Sequence, residues 1–427
     1  MKTLSTVKAA LGGSAALLLA GFLAAPAAQA DGGKTVPCDT GKLIAAINSA
    51  NSDGGGTINL APWCTYPLTT LDNTVTLPML GSSNNGLPVI IKPITLNGFH
   101  TTIAGNNSNF RIFMVTSSGS LTLQGLTITG GNTPGPGGGI WNLEGTLTLN
   151  YTTVTGNAAG NGGGIASGTA GLGPVGTTKL NFSRVNGNAT TASGGGILNH
   201  GGTLILNGSQ VNGNTSAFGG AGITSGTGMG GVGGSILVVN FSQVNGNTAD
   251  TSAAGGPMNG AGGIVNGGTA TLNASQVNGN TAPGAAGGGI LNHGTMTINL
   301  SQVNGNTAPT DSAGPGDGGG IANLNFAPLG IGAVPGGFLT ITASQIRGNT
   351  ASGIGGGIVE AAVNADGTLT AGNQLTLKVS QVTGNTAADG GGIFAASGSP
   401  VTLTLTLVAK NTPNNCSPLG SIAGCKN

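Results

Sequence analysis

The sequence predicts an all-β chain wound as a parallel β-solenoid, and three observations carry that reading. The first is a repeat: S-x-V-x-G-N-T-A, a variable glycine-rich stretch, G-G-G-I and T-L-T-L recur along the chain. The valine or isoleucine ahead of each G-N marks it at Ile128, Val154, Val185, Val211, Val244, Val277, Val303, Ile346, Val382 and Val408. The shortest interval is 26 residues. Longer units carry Gly/Pro/Ala/Ser insertions around the glycine-turn isoleucine, which read as surface loops. The second observation is composition: glycine makes up 86 of 427 residues, which forbids a helix-based repeat. The third is alternation. In Thr146-Leu147-Thr148-Leu149 the leucines point one way and the threonines the other, as in a half-buried strand. One coil offers too few apolar residues to fold alone, so stacking must place leucine on leucine and isoleucine on isoleucine. The rise per coil is then the strand spacing, about 4.8 Å.

Residues 1–30 read as a secretory leader. Lys2 and Lys8 precede an apolar stretch from Leu11 to Ala25, followed by the small-x-small site Ala28-Gln29-Ala30. That stretch is short and rich in Ala and Gly for a membrane span, and a retained anchor is the alternative. Cys38, Cys64, Cys416 and Cys425 form an even set, which in an exported chain favours disulfides. Of the three connectivities, the local pairs Cys38–Cys64 and Cys416–Cys425 are preferred, because each brackets one end of the chain; free thiols or long-range pairing stay open. Cys38 to Asn51 reads as a cover over the first open strand edge, with Thr40 capping a short helix that carries Leu43, Ile44 and Ile47 on one face. Within the repeat, Asn157, Asn188, Asn214, Asn247, Asn280, Asn306, Asn349 and Asn385 share one position and read as a structural ladder. The glycine before each suits a corner with positive φ. Asn142, Asn199, Asn266, Asn292 and Asn323 share a second position, taken by Glu360 in one coil, and serines such as Ser183, Ser209 and Ser242 share a third. The Pro/Gly/Ser loop from Cys416 to Cys425 is expected to blunt the other open edge.

A family resemblance rests on Gly137-Gly138-Gly139-Ile140, on Val154-Thr155-Gly156-Asn157 with their later copies, and on entry segments such as Gly55-Gly56-Thr57-Ile58-Asn59-Leu60 and Leu121-Thr122-Leu123-Gln124. The chain resembles the secreted right-handed parallel β-helix proteins of the pectin-lyase-like superfamily. More closely, it is similar to bacterial chains with polymorphic-outer-membrane-protein-type repeats. The resemblance implies a right-handed parallel β-helix and export. It implies little about activity, because the superfamily holds lyases and hydrolases of acidic polysaccharides beside adhesins and passenger domains without chemistry. Outer-membrane relatives carry a C-terminal autotransporter barrel where this chain has a small Cys loop, so release or non-covalent retention is expected. The expected organisation is a signal peptide over 1–30, an N-terminal cap and first coils over 31–125, a repetitive β-helix over 126–412 and a Cys loop over 413–427.

The search for chemistry starts from charge. Only 5% of residues are charged, against roughly 25% in a typical soluble domain, and no Lys/Arg cluster suits nucleic acid. Superfamily hydrolases use adjacent aspartates and a G-H-G histidine, and the lyases use clustered acids, calcium and a basic residue. This sequence has no Asp-Asp pair. Its nearest histidine motifs, Asn199-His200-Gly201 and Asn292-His293-Gly294, sit where other coils have Leu143, Gly267 and Leu324, so both histidines read as exposed turn filling. Asp250, Asp311, Asp317 and Asp389 lie between a G-N-T and the next glycine turn and read as solvated loop charges. Carboxylates two coils apart stand about 10 Å from each other, beyond the roughly 5–9.5 Å that paired hydrolytic carboxylates need. Arg111, Arg184 and Arg347 make no clamp. Outward pairs such as Thr146/Thr148 and Thr295/Thr297 resemble an ice-binding lattice, but Lys179/Asn181 and Ile205/Asn207 interrupt it. No catalytic residue, metal or cofactor is therefore expected. The reading is a secreted, monomeric, non-catalytic scaffold, adhesin-like or weakly binding neutral glycans or cell-wall surface, with no nucleic acid partner and no membrane span after leader cleavage. The alternative is a polysaccharide lyase or glycoside hydrolase of the same superfamily.

Overall fold

The computed structural model describes residues 35–427 apart from 78–80, 108, 169–175, 227–233, 251–259, 313, 327–336 and 364–367. The leader over residues 1–30 lies outside the described residues.

Each repeat winds one coil. A representative coil runs through strand Thr146–Asn150, a corner at Tyr151, strand Thr153–Thr155, a corner at Gly156, strand Ala158–Asn161, a glycine turn and strand Ile165–Gly168. The next coil pairs with it in parallel and in register: Leu149 with Leu180, Val154 with Val185, Ile165 with Ile197. Among the described residues the coils merge into sheets of 22, 12 and five strands, with three two-stranded sheets. This is a right-handed parallel β-helix.

The alternation seen in T-L-T-L sets the core. In Thr146–Asn150 the leucines are buried and the residues between them are not. Leu96, Leu123, Leu149, Leu180, Leu206, Val239 and Leu272 stack one per coil with no exposure, in one continuous apolar cluster. Each such burial contributes roughly 1.5–3 kcal/mol.

Two corners per coil need left-handed backbone. At the second, glycine does it: Gly156, Gly187, Gly213, Gly246, Gly279 and Gly305 have φ of 61–63°. At the first corner, glycine serves at Gly125 and Gly208, whereas Trp63, His100, Tyr151, Phe182, Phe241 and Leu300 adopt φ of 49–58° there. Ala274, Ala343, Val379 and Leu405 do the same in the remaining coils. Each costs about 1–2 kcal/mol relative to glycine. The serine column supports this corner. Ser183 Oγ accepts from Thr152 N at 3.1 Å and donates to Asn181 O at 2.9 Å; Ser209 Oγ in turn accepts from Ser183 N at 3.1 Å. The hydroxyl thus satisfies the N–H that the corner turns out of the ladder.

Both ends of the stack are covered. Helix α1 (Thr40–Ser52) buries Leu43, Ile47 and Ala50, while Ile44 is half-buried beside the core. Its cap is Asp39, not Thr40: Asp39 is extended and its carboxylate accepts from Lys42 N at 2.9 Å. Thr40 is already helical, and its hydroxyl donates to Pro67 O at 2.9 Å. Disulfides join Cys38 to Cys64 and Cys416 to Cys425. The last strand, Cys416–Ser417, pairs with Ile393–Ala395 on one side. On its open side the Asn427 side chain accepts from Cys416 N at 2.6 Å and donates to Cys416 O at 2.8 Å, standing in for a further strand.

Candidate functional site

The residues that recur most strictly are buried inside the coil. Asn157 Nδ2 donates to Asn188 Oδ1 at 3.0 Å, Asn188 to Asn214 at 3.1 Å, and Asn214 to Asn247 at 2.9 Å. Asn247, Asn280, Asn306 and Asn349 continue the column to Asn385 at 2.9–3.0 Å. Each Oδ1 also accepts a backbone N–H from the coil before: Asn157 Oδ1 from Gly131 N at 2.9 Å, and the later ones from the preceding asparagine, as Asn247 Oδ1 does from Asn214 N at 2.9 Å. Each Nδ2 also reaches a carbonyl of the coil before, as Asn247 does to Val211 O at 3.0 Å. Every polar atom of these amides is therefore occupied within the fold, leaving none for a ligand. The column runs on through Asn411 to Asn415. The sequence hides those two, because Lys410 replaces the corner glycine and the repeat phrase has ended.

The second asparagine position makes a shorter column. Asn266 donates to Asn292 Oδ1 at 2.8 Å, Asn292 to Asn323 Oδ1 at 2.7 Å, and Asn323 to Glu360 Oε2 at 2.7 Å. Glu360 is fully buried and its Oε1 has no hydrogen-bond partner. Burial pushes its pKa up to about 8, with the Asn323 bond opposing. A general acid needs such a shift, but it also needs reach to the substrate, and this carboxyl has none.

The histidines and aspartates differ from their expected roles. His293 is not exposed filling: it is buried in the column that Leu324 also occupies, its Nδ1 lies 2.7 Å from Leu324 O, and desolvation lowers its pKa to about 4. His200 is half-buried, and burial lowers its pKa as well. His200 ends, and His293 directly follows, the strand after the glycine turn, where the side chain packs on the neighbouring coil rather than leaving the surface. Asp317 is half-buried, accepts from Ile354 N at 2.8 Å, and its pKa is raised by desolvation. Asp389 ties down the C-terminal loop. It accepts from Ser417 Oγ at 2.6 Å, Asn414 Nδ2 at 3.0 Å and Gly390 N at 2.8 Å, and the Ser417 bond chiefly lowers its pKa. Asp317 and Asp389 share one column with the Ile354 coil between them, about 10 Å apart by strand spacing. No group of three or more His, Cys, Asp or Glu able to hold a metal occurs among the described residues.

Two clefts of similar size open to solvent: one of about 740 Å³ beside helix α1, lined in part by Asp72, and a lateral one of about 720 Å³ across successive coils, which is uncharged. Asn107, Asn109, Asn132, Thr133, Thr190 and Thr191 supply the polar groups of the lateral cleft, Pro134, Ala158 and Ala189 its apolar ones, and no ionisable side chain lines it. Asn132 Nδ2 donates to Asn107 O at 3.1 Å and Thr190 Oγ1 to Gly160 O at 2.7 Å, which fixes both side chains across the coils. Behind the Pro134 lip lies Arg111, buried and with its guanidinium carbon 4.7 Å from the Trp141 ring centre. Its Nε donates to Pro136 O at 3.0 Å, and Nη1 donates to Asn85 Oδ1 at 3.1 Å and to Ser83 Oγ. Burial lowers its pKa to about 9, so it stays cationic at neutral pH. Arg111 thus anchors the segment just beyond the Pro134 wall through Pro136. The cleft spans the last entry coil and the first repeat coils, and its residues lie in the variable stretch after each G-N, where the repeat sets no residue type.

Fold and cleft define the class: a disulfide-closed parallel β-helix with an uncharged lateral cleft. Compared with models of known protein families the chain matches none, and no curated protein matches it. Among solved structures it is similar to the A-module of a mannuronan C-5 epimerase from Azotobacter vinelandii, at 13% identity and a TM-score of 0.42, over 87% of this chain and 95% of that one. No helix among the described residues is long and apolar enough to cross a membrane.

Proposed function

We propose that this chain is a secreted, non-catalytic β-helix of the pectin-lyase-like kind, with polymorphic-outer-membrane-protein-type repeats, that binds neutral glycans or cell-wall surface weakly. The observation that carries the reading is the lateral cleft: amides and hydroxyls on a rigid frame, a few apolar contacts and no ionisable group. Such a surface hydrogen-bonds hydroxyl-rich ligands and offers nothing to offset a carboxylate or sulfate. The disulfides fit an oxidising compartment. An acidic-polysaccharide enzyme would need an acid and a base within hydrogen-bond reach of the bond being broken. His293, Glu360 and Asp317 are instead committed to packing and Asp389 to the C-terminal end, while Lys179, Arg184, Arg347 and Lys378 are exposed one by one along the coils.

Two assays on the full chain test the proposal. Incubation with pectate, alginate or hyaluronan, with and without calcium, should release neither reducing ends nor unsaturated products. Turnover that disappears in His200→Ala, His293→Ala or Asp317→Ala protein overturns the non-catalytic reading. Retention on neutral polysaccharide that weakens in the Asn132→Ala, Thr190→Ala double variant supports the cleft.

A further inference from the structure

We propose that the first corner of the coils is an apolar contact track for a neutral polysaccharide, whose chain lies along the solenoid axis over the ring edges of Trp63, His100, Tyr151, Phe182 and Phe241. The proposal rests on the glycan-binding reading above and extends it to a second surface, away from the cleft.

Register places these residues in one column. Trp63 aligns with His100 through the pairing of Thr65 with Thr102, and Tyr151 with Phe182 through that of Thr153 with Arg184. Phe182 then aligns with Gly208, and Gly208 with Phe241. The column demands left-handed backbone in every coil, which glycine supplies without strain at Gly125 and Gly208. Large rings nevertheless fill it, and they are not core: Trp63 is 71% exposed, Phe182 56% and Phe241 63%. Leu300 and Leu405 are strained and exposed in the same column too, so it is the clustering of aromatic rings over these coils that marks the stretch.

The rings are arranged as a ridge. Trp63 stacks on His100 with centroids 4.1 Å apart, with Phe99 edge-on to both. Tyr151 and Phe182 lie 5.5 Å apart and within 10° of parallel. The Phe182 ring extends over Gly208: a Cβ on that glycine would meet Cε1 at 2.7 Å. The rings therefore bridge a coil that contributes no side chain of its own.

A column of amides flanks the ridge. Asn181 Nδ2 donates to Asn150 Oδ1 at 2.8 Å, Asn207 to Asn181 at 3.0 Å, and Asn240 to Asn207 at 3.0 Å. Each bond uses one amide hydrogen and one lone pair, and these side chains are half-buried, so a second hydrogen and lone pair remain for a ligand. Because the stacked rings cover each other's faces, the ridge presents apolar ring edges beside the amides, interrupted at Gly125 and Gly208; such an apolar and amide surface matches a sugar chain, whose rings present a C–H face and a hydroxyl edge. From Asn150 to Phe241 neither column carries a charged residue, which favours a neutral glycan over an acidic one or a nucleic acid.

The test is affinity electrophoresis of the full chain in gels containing hydroxyethylcellulose, galactomannan or laminarin. The wild type should be retarded by at least one. Removing a ring, in Tyr151→Ala or Phe182→Gly, should weaken the apparent Kd about two- to tenfold, the range of one aromatic contact. Phe182→Gly separates binding from folding, because glycine adopts this corner freely, as Gly208 does, so its Tm should not fall. Leu405→Gly, in the same column far from the rings, should bind as wild type does. Retardation unchanged in Tyr151→Ala and Phe182→Gly overturns the track and leaves glycan binding standing. A wild type retarded by none of the gels overturns both proposals.

Discussion

Asn247 is enclosed on all sides: its Oδ1 accepts from Asn214 Nδ2 and Asn214 N, and its Nδ2 donates to Asn280 Oδ1 and Val211 O. Replacing it with alanine strands buried partners on two neighbouring coils, and each orphaned group costs about 1–3 kcal/mol. Asn247→Ala should therefore lower stability by at least that much in denaturant unfolding, whereas the exposed Thr269→Ala should change it by less than about 0.5 kcal/mol. Glu360 makes a different prediction. Its folded pKa is raised to about 8 from an ordinary 4.5, so between those values the folded chain holds a proton that the unfolded chain has lost. Stability from this group is full at low pH and declines as pH rises, by at most about 1.4 kcal/mol per pH unit. His293, lowered to about 4 from 6.5, acts oppositely within that interval, because its unfolded form takes up the proton. The two offset each other up to about pH 6.5, and above it Glu360 acts without that opposition. Wild-type stability measured from pH 6.5 to 8 should fall relative to Glu360→Gln; parallel curves would contradict the assignment.

The two corners of a coil obey the same backbone requirement by different means. A Cβ on Gly279 would meet nothing within 4 Å, so Gly279→Ala should cost only the left-handed penalty, about 1–2 kcal/mol. Gly263→Ala should cost more, because its Cβ would sit 2.5 Å from Gly289 O. Ala274→Gly, at φ 47°, should stabilise by up to about 1 kcal/mol. The strands, the core leucines and the glycine corner were all readable from the repeat, because each recurs with the coil and obeys a local rule. The other corner escaped notice because bulky residues occupy a conformation that propensity assigns to glycine. The signals were Gly125 standing where Tyr151 stands in the next coil, and Gly208 where Phe182 and Phe241 stand in its neighbours. His293 and Asp389 were misjudged for another reason. Their burial comes from the neighbouring coil and from the C-terminal loop, and no pattern within one repeat encodes either. The cleft was illegible because Asn107 and Arg111 belong to an entry coil, while Pro134, Ala158 and Thr190 fall in the variable stretch after each G-N.

Across the whole chain, stability is a sum over coils and their neighbours, which makes the ends decisive. The last strand is closed by the Cys416–Cys425 loop, by Asn427 and by Asp389 through Ser417. A Cys416→Ser, Cys425→Ser double variant should lose about 2–3 kcal/mol from the short loop. It should also show concentration-dependent larger species in size-exclusion chromatography, as the uncovered edge pairs with another copy. The neutrality of the stack has the widest consequence for function. With 5% charged residues and an uncharged cleft, ligand binding should owe almost nothing to ion pairs. The direct measurement is retention of the full chain on neutral polysaccharide from about 0.1 M to about 1 M salt, over which the Debye length shrinks from about 10 Å to about 3 Å. Retention that stays constant across the range is expected. Retention that vanishes as salt rises, or that appears only on acidic polysaccharide, would contradict a neutral, hydrogen-bonding binding surface.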